Sequence, residues 1–489
     1  MRVFPCGGFC GQVNTLFQPD ILYAHGQAFA SAGLLVDDAG NVVRIVPAPQ
    51  IPDDAERVPL PGRVLIPAFA NAHSHAFQRL FRARAEGRRV GGDTFWTWRE
   101  QMYRAAAFAD PDQMFDIARA VFLEMAQTGI ALVGEFHYVH RDRDGRAYSN
   151  PNAMADSVLA AARSIGLRIT LLRTAYFRAG FGLDPHPGQM RFYEQPDEYL
   201  ENLAALATQH TSDPFIHIGA APHSIRAVPL ADFRPIVDWC RSTGARPVHL
   251  HISEQPAENQ ACLREFGSTP VTALTDQGMF DAKTTLVHAI HITEDEMARI
   301  AHAGATICSC PTTERNLGDG IFPADLAARL GVPIAFGSDS QAQIDPFEDA
   351  RQLEYHLRLR DRERGILDSA SRPGWASDDS IGTALLRSMT ANGYRALGVP
   401  GGSLAPGEPA DFLTLRLDDM ALLGTEAASL PEQIVFSASR AAVDQLYVQG
   451  RQLVANGLHP DADEIRARYR ILQQQFLSHP VQLPIQETI

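Results

Sequence analysis

Features that place proteins outside the cytoplasm or across a membrane are scarce in this sequence. Its 489 residues include only six cysteines, which are scattered and so predict reduced thiols rather than a disulfide scaffold. Cys6 and Cys10 stand close together, but no second pair follows nearby to complete a zinc knot, and we interpret both as free thiols. The N-terminal residues lack the basic and apolar regions of a secretory signal. No apolar run reaches the ~18 residues needed to span a bilayer. We therefore expect a cytoplasmic protein that does not enter membranes.

Positive charge is also in short supply. The chain has 43 Lys and Arg against 57 Asp and Glu, a formal net charge of −14. This balance argues against general affinity for nucleic acid or for an anionic membrane surface. A pocket can still gather a few arginines inside an acidic protein, so a small anionic substrate is not excluded. The length suits a large barrel domain with a smaller partner domain.

Short apolar runs alternate with amphipathic stretches from residue 64 onwards. Helical patterns such as 112–127 and 294–303 separate the runs, and this alternation predicts parallel βα units. Eight units predict a closed (β/α)₈ barrel of the TIM type, with its active site at the C-terminal ends of the strands. An open doubly wound sheet is the alternative, but no glycine-rich phosphate-binding turn follows an early strand. The eight predicted strands are 64–71, 131–138, 168–175, 215–221, 247–252, 285–290, 306–309 and 334–337.

Both ends of the chain predict short strands of a small β-sandwich. Two apolar runs flank residues 38–41, Asp-Ala-Gly-Asn, which is the turn chemistry of a hairpin. After the barrel, segments 409–415 and 445–454 are predicted as strands again, the second containing a Gln-Gly turn. We therefore divide the chain into an N-terminal part of the sandwich, a barrel, and a C-terminal part with a terminal helix, at residues 1–63, 64–408 and 409–489.

Chemically distinctive residues stand at the ends of four predicted barrel strands. Two histidines separated by one residue after the first strand project to the same side. One such histidine is most often a hydrogen-bonded structural residue, but four strand ends carrying His, Glu and Asp in one barrel indicate a metal centre. In chain order the set is His73 and His75, then His249, His251 and Glu254, then His288, then Asp339.

These residue types fit metal-assisted hydrolysis of a carbon–nitrogen bond. Neutral imidazoles bind zinc at ~2.0–2.1 Å, and a catalytic site needs three or four protein ligands and one open position. A bound ion lowers the pKa of water towards ~7. A carboxylate beside the ion, but not bound to it, can carry the proton from water to a leaving nitrogen.

The motifs resemble the amidohydrolase superfamily, with HxH after strand one, HxxE after strand five, His in strand six and SD after strand eight. Within it, longer strings resemble the formimidoylglutamate deiminases of histidine degradation. The resemblance implies hydrolysis of N-formimidoyl-L-glutamate to N-formyl-L-glutamate and ammonia, by a homodimer. The strings are HSHAFQR (73–79), TFWTWRE (94–100), VGEFHY (133–138), APHSIRAV (221–228), HLHISEQ (249–255) and CPTTERNLGDGIF (310–322).

The resemblance also implies roles for individual residues. One zinc ion per subunit would be bound by His73, His75, His251 and Asp339. His251, rather than His249, matches the family motif because it lies three residues before the glutamate; His249 could support it from a neighbouring position. Glu254 would be the proton shuttle, and His288 and Asp339 would orient the attacking water.

A single metal is expected because of a missing residue. Binuclear relatives bridge two metals with a carboxylated lysine at the end of strand four. The chain has one lysine, Lys283, which lies just before strand six. No lysine is available at residues 215–224.

Substrate contacts are implied by the same resemblance. A planar guanidinium binds a carboxylate through two parallel hydrogen bonds, so an arginine pair suits a glutamate-like substrate. Any one of these residues taken alone could instead be a surface charge or a rim salt bridge. We expect Trp96 and Trp98 to pack in the core or a lid, and residues 310–322 to close over the site. The implied contacts are Gln78, Arg99, Tyr138, His223 and Arg226.

Two other functions stay open. A related aminohydrolase could act on a purine, a pterin or another formimidoyl amino acid, and would then favour aromatic stacking over two arginines. A barrel without catalysis could serve as a scaffold or binding protein. Iron or manganese could also replace zinc at such a site.

Overall fold

The computed structural model describes residues 14–47, 50, 55–86 and 94–479. Cys6 and Cys10 lie outside these residues, as does the side chain of Trp96. The other four cysteines, Cys240, Cys262, Cys308 and Cys310, are buried and unpaired. Within the described ranges, no helix is both long enough and apolar enough to cross a membrane.

Sixteen strands are found in the described residues, and they form two sheets. In chain order they are β1 (Thr15–Ala24), β2 (Gln27–Ala30), β3 (Ala32–Val36), β4 (Val42–Pro47), β5 (Glu56–Pro67), β6 (Phe69–Ser74), β7 (Ile130–His137), β8 (Arg168–Ala175), β9 (Ile216–Pro222), β10 (Val248–Ile252), β11 (Thr284–His288), β12 (Thr306–Ser309), β13 (Ile334–Phe336), β14 (Phe412–Arg416), β15 (Val443–Val448) and β16 (Arg451–Val454).

Helices follow nearly every barrel strand. In chain order the α-helices are α1 (Thr94–Phe108), α2 (Pro111–Gln127), α3 (Ala153–Ile165), α4 (Pro196–Gln209), α5 (Leu230–Ser242), α6 (Pro256–Phe266), α7 (Pro270–Asp276), α8 (Glu294–Ala303), α9 (Pro311–Leu317), α10 (Ala324–Leu330), α11 (Pro346–Asp361), α12 (Ile381–Met389), α13 (Ala391–Ala396), α14 (Leu430–Phe436) and α15 (Ala462–Ser478).

The barrel consists of β6 to β13, eight parallel strands in chain order, which confirms the predicted (β/α)₈ fold. Its first and last strands meet through a parallel bridge between Ser74 and Asp339. The Asp339 amide donates to the His73 carbonyl at 2.9 Å, and the His75 amide donates to the Asp339 carbonyl at 3.0 Å. Barrel closure and the predicted metal ligands therefore occupy the same hydrogen-bonded seam.

One predicted strand boundary is wrong. Residues 64–71 were expected as the first barrel strand, but residues 64–67 end β5, which pairs with β1 and β14 in the other sheet. The chain passes from one sheet to the barrel at Ala68, whose amide donates to the Asp411 carbonyl at 3.0 Å. Both flanking segments are buried and apolar, so composition does not mark the crossing.

The other sheet is mixed and joins both ends of the chain, in the order β16-β15-β14-β5-β1-β3-β4, with β2 beside β1. The hairpin expected around residues 38–41 joins β3 to β4. The Gln-Gly turn joins β15 to β16, and both Gln449 and Gly450 have positive φ, 48° and 71°. Two successive positive φ angles are the geometry of a two-residue type I′ hairpin turn.

Local sequence explains where several barrel helices begin and end. The Asp110 carboxylate accepts from the Gln113 amide before α2, and Thr293 caps α8 in the same way with Glu296 as its reciprocal partner. Such capping boxes satisfy amides that have no partner inside the helix. Helices α3, α6, α8 and α10 end at glycines in the left-handed conformation.

A buried ion pair connects the barrel to the mixed sheet. Arg168 on β8 donates to Asp411 at 2.7 Å, and both side chains are buried. Asp411 also accepts from the Tyr394 hydroxyl and from the Gln449 amide. Removing one partner leaves a buried charge without compensation.

We expect Asp411→Ala to lower the free energy of unfolding by about 3–5 kcal/mol, because Arg168 would remain buried without its carboxylate. Urea unfolding followed by circular dichroism measures this change. Asp38→Ala, at an exposed position of the same sheet domain, should change the stability by less than about 0.5 kcal/mol. Equal stability of the two variants would contradict this role.

Candidate metal centre and pocket

Strained backbone lies at the C-terminal edge of the barrel, where the predicted site residues meet. His288 and Asp339 have φ angles of 71° and 44°, in the left-handed region that residues with a Cβ rarely adopt. Such conformations cost about 1–3 kcal/mol each and concentrate at functional sites. His288 is the last residue of β11, and Asp339 follows the end of β13 by three residues.

Four side chains converge at this edge with metal-ligand donor atoms. Nε2 of His73 lies 3.1 Å from Nε2 of His75, and the two nitrogens lie 3.4 and 3.3 Å from Oδ1 of Asp339. One donor atom from each of the four residues lies within 4.8 Å of every other. The group is His73, His75, His251 and Asp339, all buried.

The donor set fits one divalent ion. Ligand atoms at ~2.0–2.1 Å from a tetrahedral ion stand about 3.3 Å apart, close to the distances just given. His75 Nδ1 donates to the Phe136 carbonyl at 2.9 Å, and His251 Nδ1 donates to the His223 carbonyl at 3.3 Å. These bonds leave each Nε2 with its lone pair facing the group, as a metal ligand requires.

The ionisation states also suit a cation. Burial lowers the pKa of His73 to about 3 and holds the pKa of His251 well below its usual range, so both rings are neutral near pH 7. Burial would raise the pKa of Asp339, but the adjacent rings of His73, His75 and His288 hold it well below its usual range. Neutral imidazoles and an ionised carboxylate are the ligand forms that bind metals.

His249 is not part of this group. It lies on β10 two residues before His251, and its Nε2 donates to the Ala396 carbonyl at 2.8 Å. The ring is fully buried, on the side of the barrel where α13 packs. The structure therefore brings only one of the two β10 histidines to the donor group.

Glu254 and His288 lie beside the four donors. His288 Nε2 is 3.7 Å from both Glu254 Oε1 and Asp339 Oδ2. Burial raises the pKa of Glu254, so its carboxyl group gains a proton more readily than that of an exposed glutamate. The Glu254 side chain is 23% exposed and lines the pocket, so it can reach a bound molecule.

Glu314 contacts His288 at its Nδ1, the ring nitrogen opposite the one near Glu254 and Asp339. This residue was not anticipated from the sequence. Its Oε1 lies 3.3 Å from His288 Nδ1 and also accepts from the Cys310 amide at 2.7 Å. Although burial would lower the pKa of His288, the surrounding carboxylates Glu254, Asp339 and Glu314 hold it well above its usual range. Glu314 comes from α9, within the segment expected to close over the site.

We expect Glu314→Gln to lower kcat by about a hundredfold, because a catalytic ring displaced by about 1 Å can cost that much. Glutamine keeps the size of the side chain but removes the charge that holds His288. Steady-state kinetics, with bound metal measured in the same samples, checks this expectation. Unchanged kcat would show that His288 keeps its position without Glu314.

The pocket brings together all five expected substrate contacts, Gln78, Arg99, Tyr138, His223 and Arg226. Gln78 Nε2 donates to the Tyr138 hydroxyl at 2.9 Å. Arg226 is half-buried, and its guanidinium forms no ion pair or hydrogen bond within the described residues. A half-buried guanidinium that hydrogen-bonds no carboxylate is suited to pair with a carboxylate of a ligand.

The pocket wall also contains residues that were not among the expected substrate contacts. Trp98, expected to pack in the core or a lid, lines the pocket with Leu317. The aromatic wall is completed by Tyr103, Tyr176 and Phe192. Tyr103 could have been found, because it lies four residues after Arg99 and so on the same face of a helix.

A second buried carboxylate supports the HxH segment. Glu135 on β7 accepts from the Ser74 hydroxyl at 2.6 Å and from the Ala76 amide at 2.7 Å. Burial raises the pKa of Glu135 to about 7. Glu135 therefore binds the residues on both sides of His75, through the Ser74 hydroxyl and the Ala76 amide.

A larger cavity, of about 510 Å³, lies at the opposite end of the barrel. It is lined by residues that precede or begin β9 and β10, such as Asp213, His217 and Arg246. TIM-type barrels place their chemistry at the C-terminal ends of the strands. The smaller pocket at the four-donor group is therefore the candidate active site.

Comparison with known proteins agrees with this geometry. The sequence profile of the amidohydrolase family matches residues 64–453, which include the whole barrel and most of the C-terminal strands. The chain belongs to the amidohydrolase family. It is therefore an enzyme of a hydrolase family, and the resemblance drawn from its motifs is confirmed.

Individual amidohydrolases cover most of this chain. Formimidoylglutamate deiminase of Pseudomonas aeruginosa is 38% identical over 413 residues, which cover 83% of this chain and 87% of that protein. The 8-oxoguanine deaminase of the same organism is 27% identical, covering 88% and 90%. The crystal structure of an amidohydrolase from Brucella melitensis matches with a TM-score of 0.86 and 32% identity, covering 95% of this chain and 100% of the other.

Proposed function

We propose that this amidohydrolase hydrolyses N-formimidoyl-L-glutamate to N-formyl-L-glutamate and ammonia, a step of histidine degradation. The observation that carries the proposal is the unpartnered guanidinium of Arg226 in the pocket that contains the four-donor group. An anionic substrate is needed to pair with it, and a glutamate derivative supplies two carboxylates. The 38% identity to a formimidoylglutamate deiminase supports the same choice.

We assign one zinc ion per subunit to His73, His75, His251 and Asp339, because three imidazoles and a carboxylate suit zinc. When bound, such an ion lowers the pKa of water to about 7 and so supplies a nucleophile at neutral pH. The single lysine of the chain, Lys283, precedes β11, so none lies at the end of β9 to bridge a second ion.

The residues of the chain supply the remaining chemistry. Glu254 carries the two protons of the attacking water, one after the other, to the imino nitrogen. The first transfer accompanies attack on the formimidoyl carbon, and the second comes from the hydroxyl of the tetrahedral intermediate. The carbon–nitrogen bond then breaks, ammonia leaves, and the oxygen becomes the formyl carbonyl. His288 and Asp339, 3.7 Å apart, orient the attacking water and stabilise the charge that develops on its oxygen. Arg99, Arg226, Gln78, Tyr138 and His223 hold the substrate so that its formimidoyl carbon faces the four-donor group.

We place the enzyme in the cytoplasm, as a homodimer that binds neither nucleic acid nor membrane. The four described cysteines are unpaired, which suits a reducing compartment. The net charge of −14 disfavours polyanionic partners. Size measurement by light scattering tests the dimer directly.

The direct test measures ammonia release by the purified, zinc-loaded protein from three compounds. N-formimidoyl-L-glutamate should release ammonia selectively over N-formimidoylglycine and guanine. Release from guanine instead would keep the metal chemistry and reject the assigned substrate. If none of the three compounds releases ammonia while the protein contains zinc, only the assignment to the amidohydrolase family would remain.

We expect Arg226→Gln to raise KM for N-formimidoyl-L-glutamate by about 10–100-fold with a smaller effect on kcat. Hydrogen bonds between charged groups contribute about 1.5–3 kcal/mol, and this one would be lost in the ground and transition states alike. Initial rates over a range of substrate concentrations measure both constants. Arg234→Gln, at an exposed position of helix α5 outside the lining residues, is the control.

A further inference from the structure

Two tyrosine hydroxyls in the pocket wall are held by a single buried amide. Gln189 is fully buried, and its Nε2 donates to Tyr103 at 3.1 Å and to Tyr176 at 2.9 Å. Its carbonyl oxygen accepts from the His186 amide at 3.1 Å. Both protons and the oxygen of the Gln189 amide are therefore used, and its orientation is determined by these bonds.

These bonds decide what each hydroxyl can still do. The Tyr103 oxygen also accepts from Arg99 Nε at 2.8 Å, so both of its lone pairs are occupied. Only its proton remains, and neither tyrosine proton has an acceptor within the described ranges. Burial raises the pKa of Tyr103 to about 12, so this proton stays in place at neutral pH.

The pocket is where these protons can find an acceptor. Both tyrosines are only 6% exposed, and both line the same pocket as Arg99 and Arg226. Tyr176 packs against His223 with ring centroids 4.8 Å apart, which places it on the substrate side of the four-donor group. An anionic oxygen satisfies such donors, whereas an ammonium or amide N–H cannot.

We propose that Tyr103 and Tyr176 donate their phenolic protons to one carboxylate of the substrate, and that Gln189 is the positioning residue that directs both protons into the pocket. This inference rests on the proposed function, because it assigns donors to a carboxylate of that substrate. It makes the two tyrosines determinants of specificity for an anionic end, alongside the arginines.

The test measures equilibrium binding of the product, N-formyl-L-glutamate, by calorimetry with the zinc-loaded protein. Tyr103→Phe and Tyr176→Phe keep the ring and remove one hydroxyl each. Each should weaken binding by about tenfold or more, since hydrogen bonds to charged groups contribute about 1.5–3 kcal/mol. Tyr193→Phe is the matched control, because its hydroxyl accepts from Gln195 on the same loop outside the pocket lining.

Two further probes identify the carboxylate that is bound. N-formyl-L-norvaline lacks the side-chain carboxylate, and N-formyl-4-aminobutyrate lacks the α-carboxylate. Tyr103→Phe should weaken the binding of one of these probes and leave the binding of the other unchanged. The proposal would be overturned if Tyr103→Phe weakened the binding of both probes equally. It would also be overturned if both tyrosine variants bound N-formyl-L-glutamate as the wild type does.

Gln189→Glu tests the positioning role. The substitution keeps the shape but replaces the two N–H donors with carboxylate oxygens, so the phenolic protons turn towards it and away from the pocket. KM for N-formimidoyl-L-glutamate should rise about tenfold or more with kcat within about threefold, whereas general damage would lower kcat. Wild-type KM would overturn the positioning role.

The two hypotheses fail in different ways. If the wild-type protein releases no ammonia from N-formimidoyl-L-glutamate, the proposed function fails. If it does release ammonia, but the tyrosine variants bind the product normally, only the inference about Tyr103 and Tyr176 fails.

Discussion

Replacing Glu254 with glutamine should lower kcat by about 10²–10⁴-fold, the usual contribution of a general acid–base group. Glutamine preserves the size of the side chain and its place beside His288, but it cannot carry a proton. Glu254 is not among the four donors, so the variant should retain its metal. The loss therefore separates proton transfer from metal binding.

Two measurements on the same sample check this expectation, namely ammonia release and metal content by atomic absorption. Glu265→Gln, at an exposed position of helix α6, is the control and should match the wild type. Substantial turnover by Glu254→Gln would reject the shuttle. Loss of metal together with activity would mean that Glu254 supports the metal rather than the proton transfer.

The barrel was predictable because the same sequence pattern, an apolar run followed by an amphipathic stretch, is repeated along the chain. Each strand is a short buried apolar run, and each is followed by an amphipathic helix with local start and stop signals, as at Asp110 and Thr293. The crossing at Ala68 was not predictable. Residues 64–67 and 69–71 are equally buried, and only their hydrogen-bonding partners, which lie far along the chain, distinguish the two sheets.

The candidate site was predictable only where residues stand in a motif. The donors fall at strand ends in fixed spacings, so His73, His75 and Asp339 could be found before their distances were known. Gln189 carries no such signal. Its role arises because a loop brings its amide to two tyrosines that are 86 and 13 residues away along the chain.

Glu314 shows the same limit for a residue inside a recognised string. The segment 310–322 indicated a loop near the site, but its residues 311–317 fold as helix α9, from which Glu314 contacts His288. A glutamate five residues after a strand end is more often exposed. Only the position of β11 beside β12 makes this one a partner of His288.

His251→Ala should lower metal affinity by more than about a hundredfold and abolish turnover. Loss of groups that only support a ligand already costs about 10–100-fold in affinity, and His251 belongs to the four-donor group itself. Metal affinity is measured by competition with a chromogenic chelator, which requires no activity. Retention of one equivalent of tightly bound metal by this variant would reject His251 as a ligand.

His249→Asn is the matched comparison on the same strand. Both histidines are buried on β10 with the same side-chain alternation, and they differ in what their rings contact. His249 donates to the Ala396 carbonyl, so its loss should lower stability while leaving metal affinity near that of the wild type. Strand periodicity alone makes the two histidines equivalent. If His251→Ala loses metal affinity and His249→Asn does not, the contact with α13 is what keeps the His249 imidazole out of the metal site. Equal loss of metal from both variants would contradict this distinction.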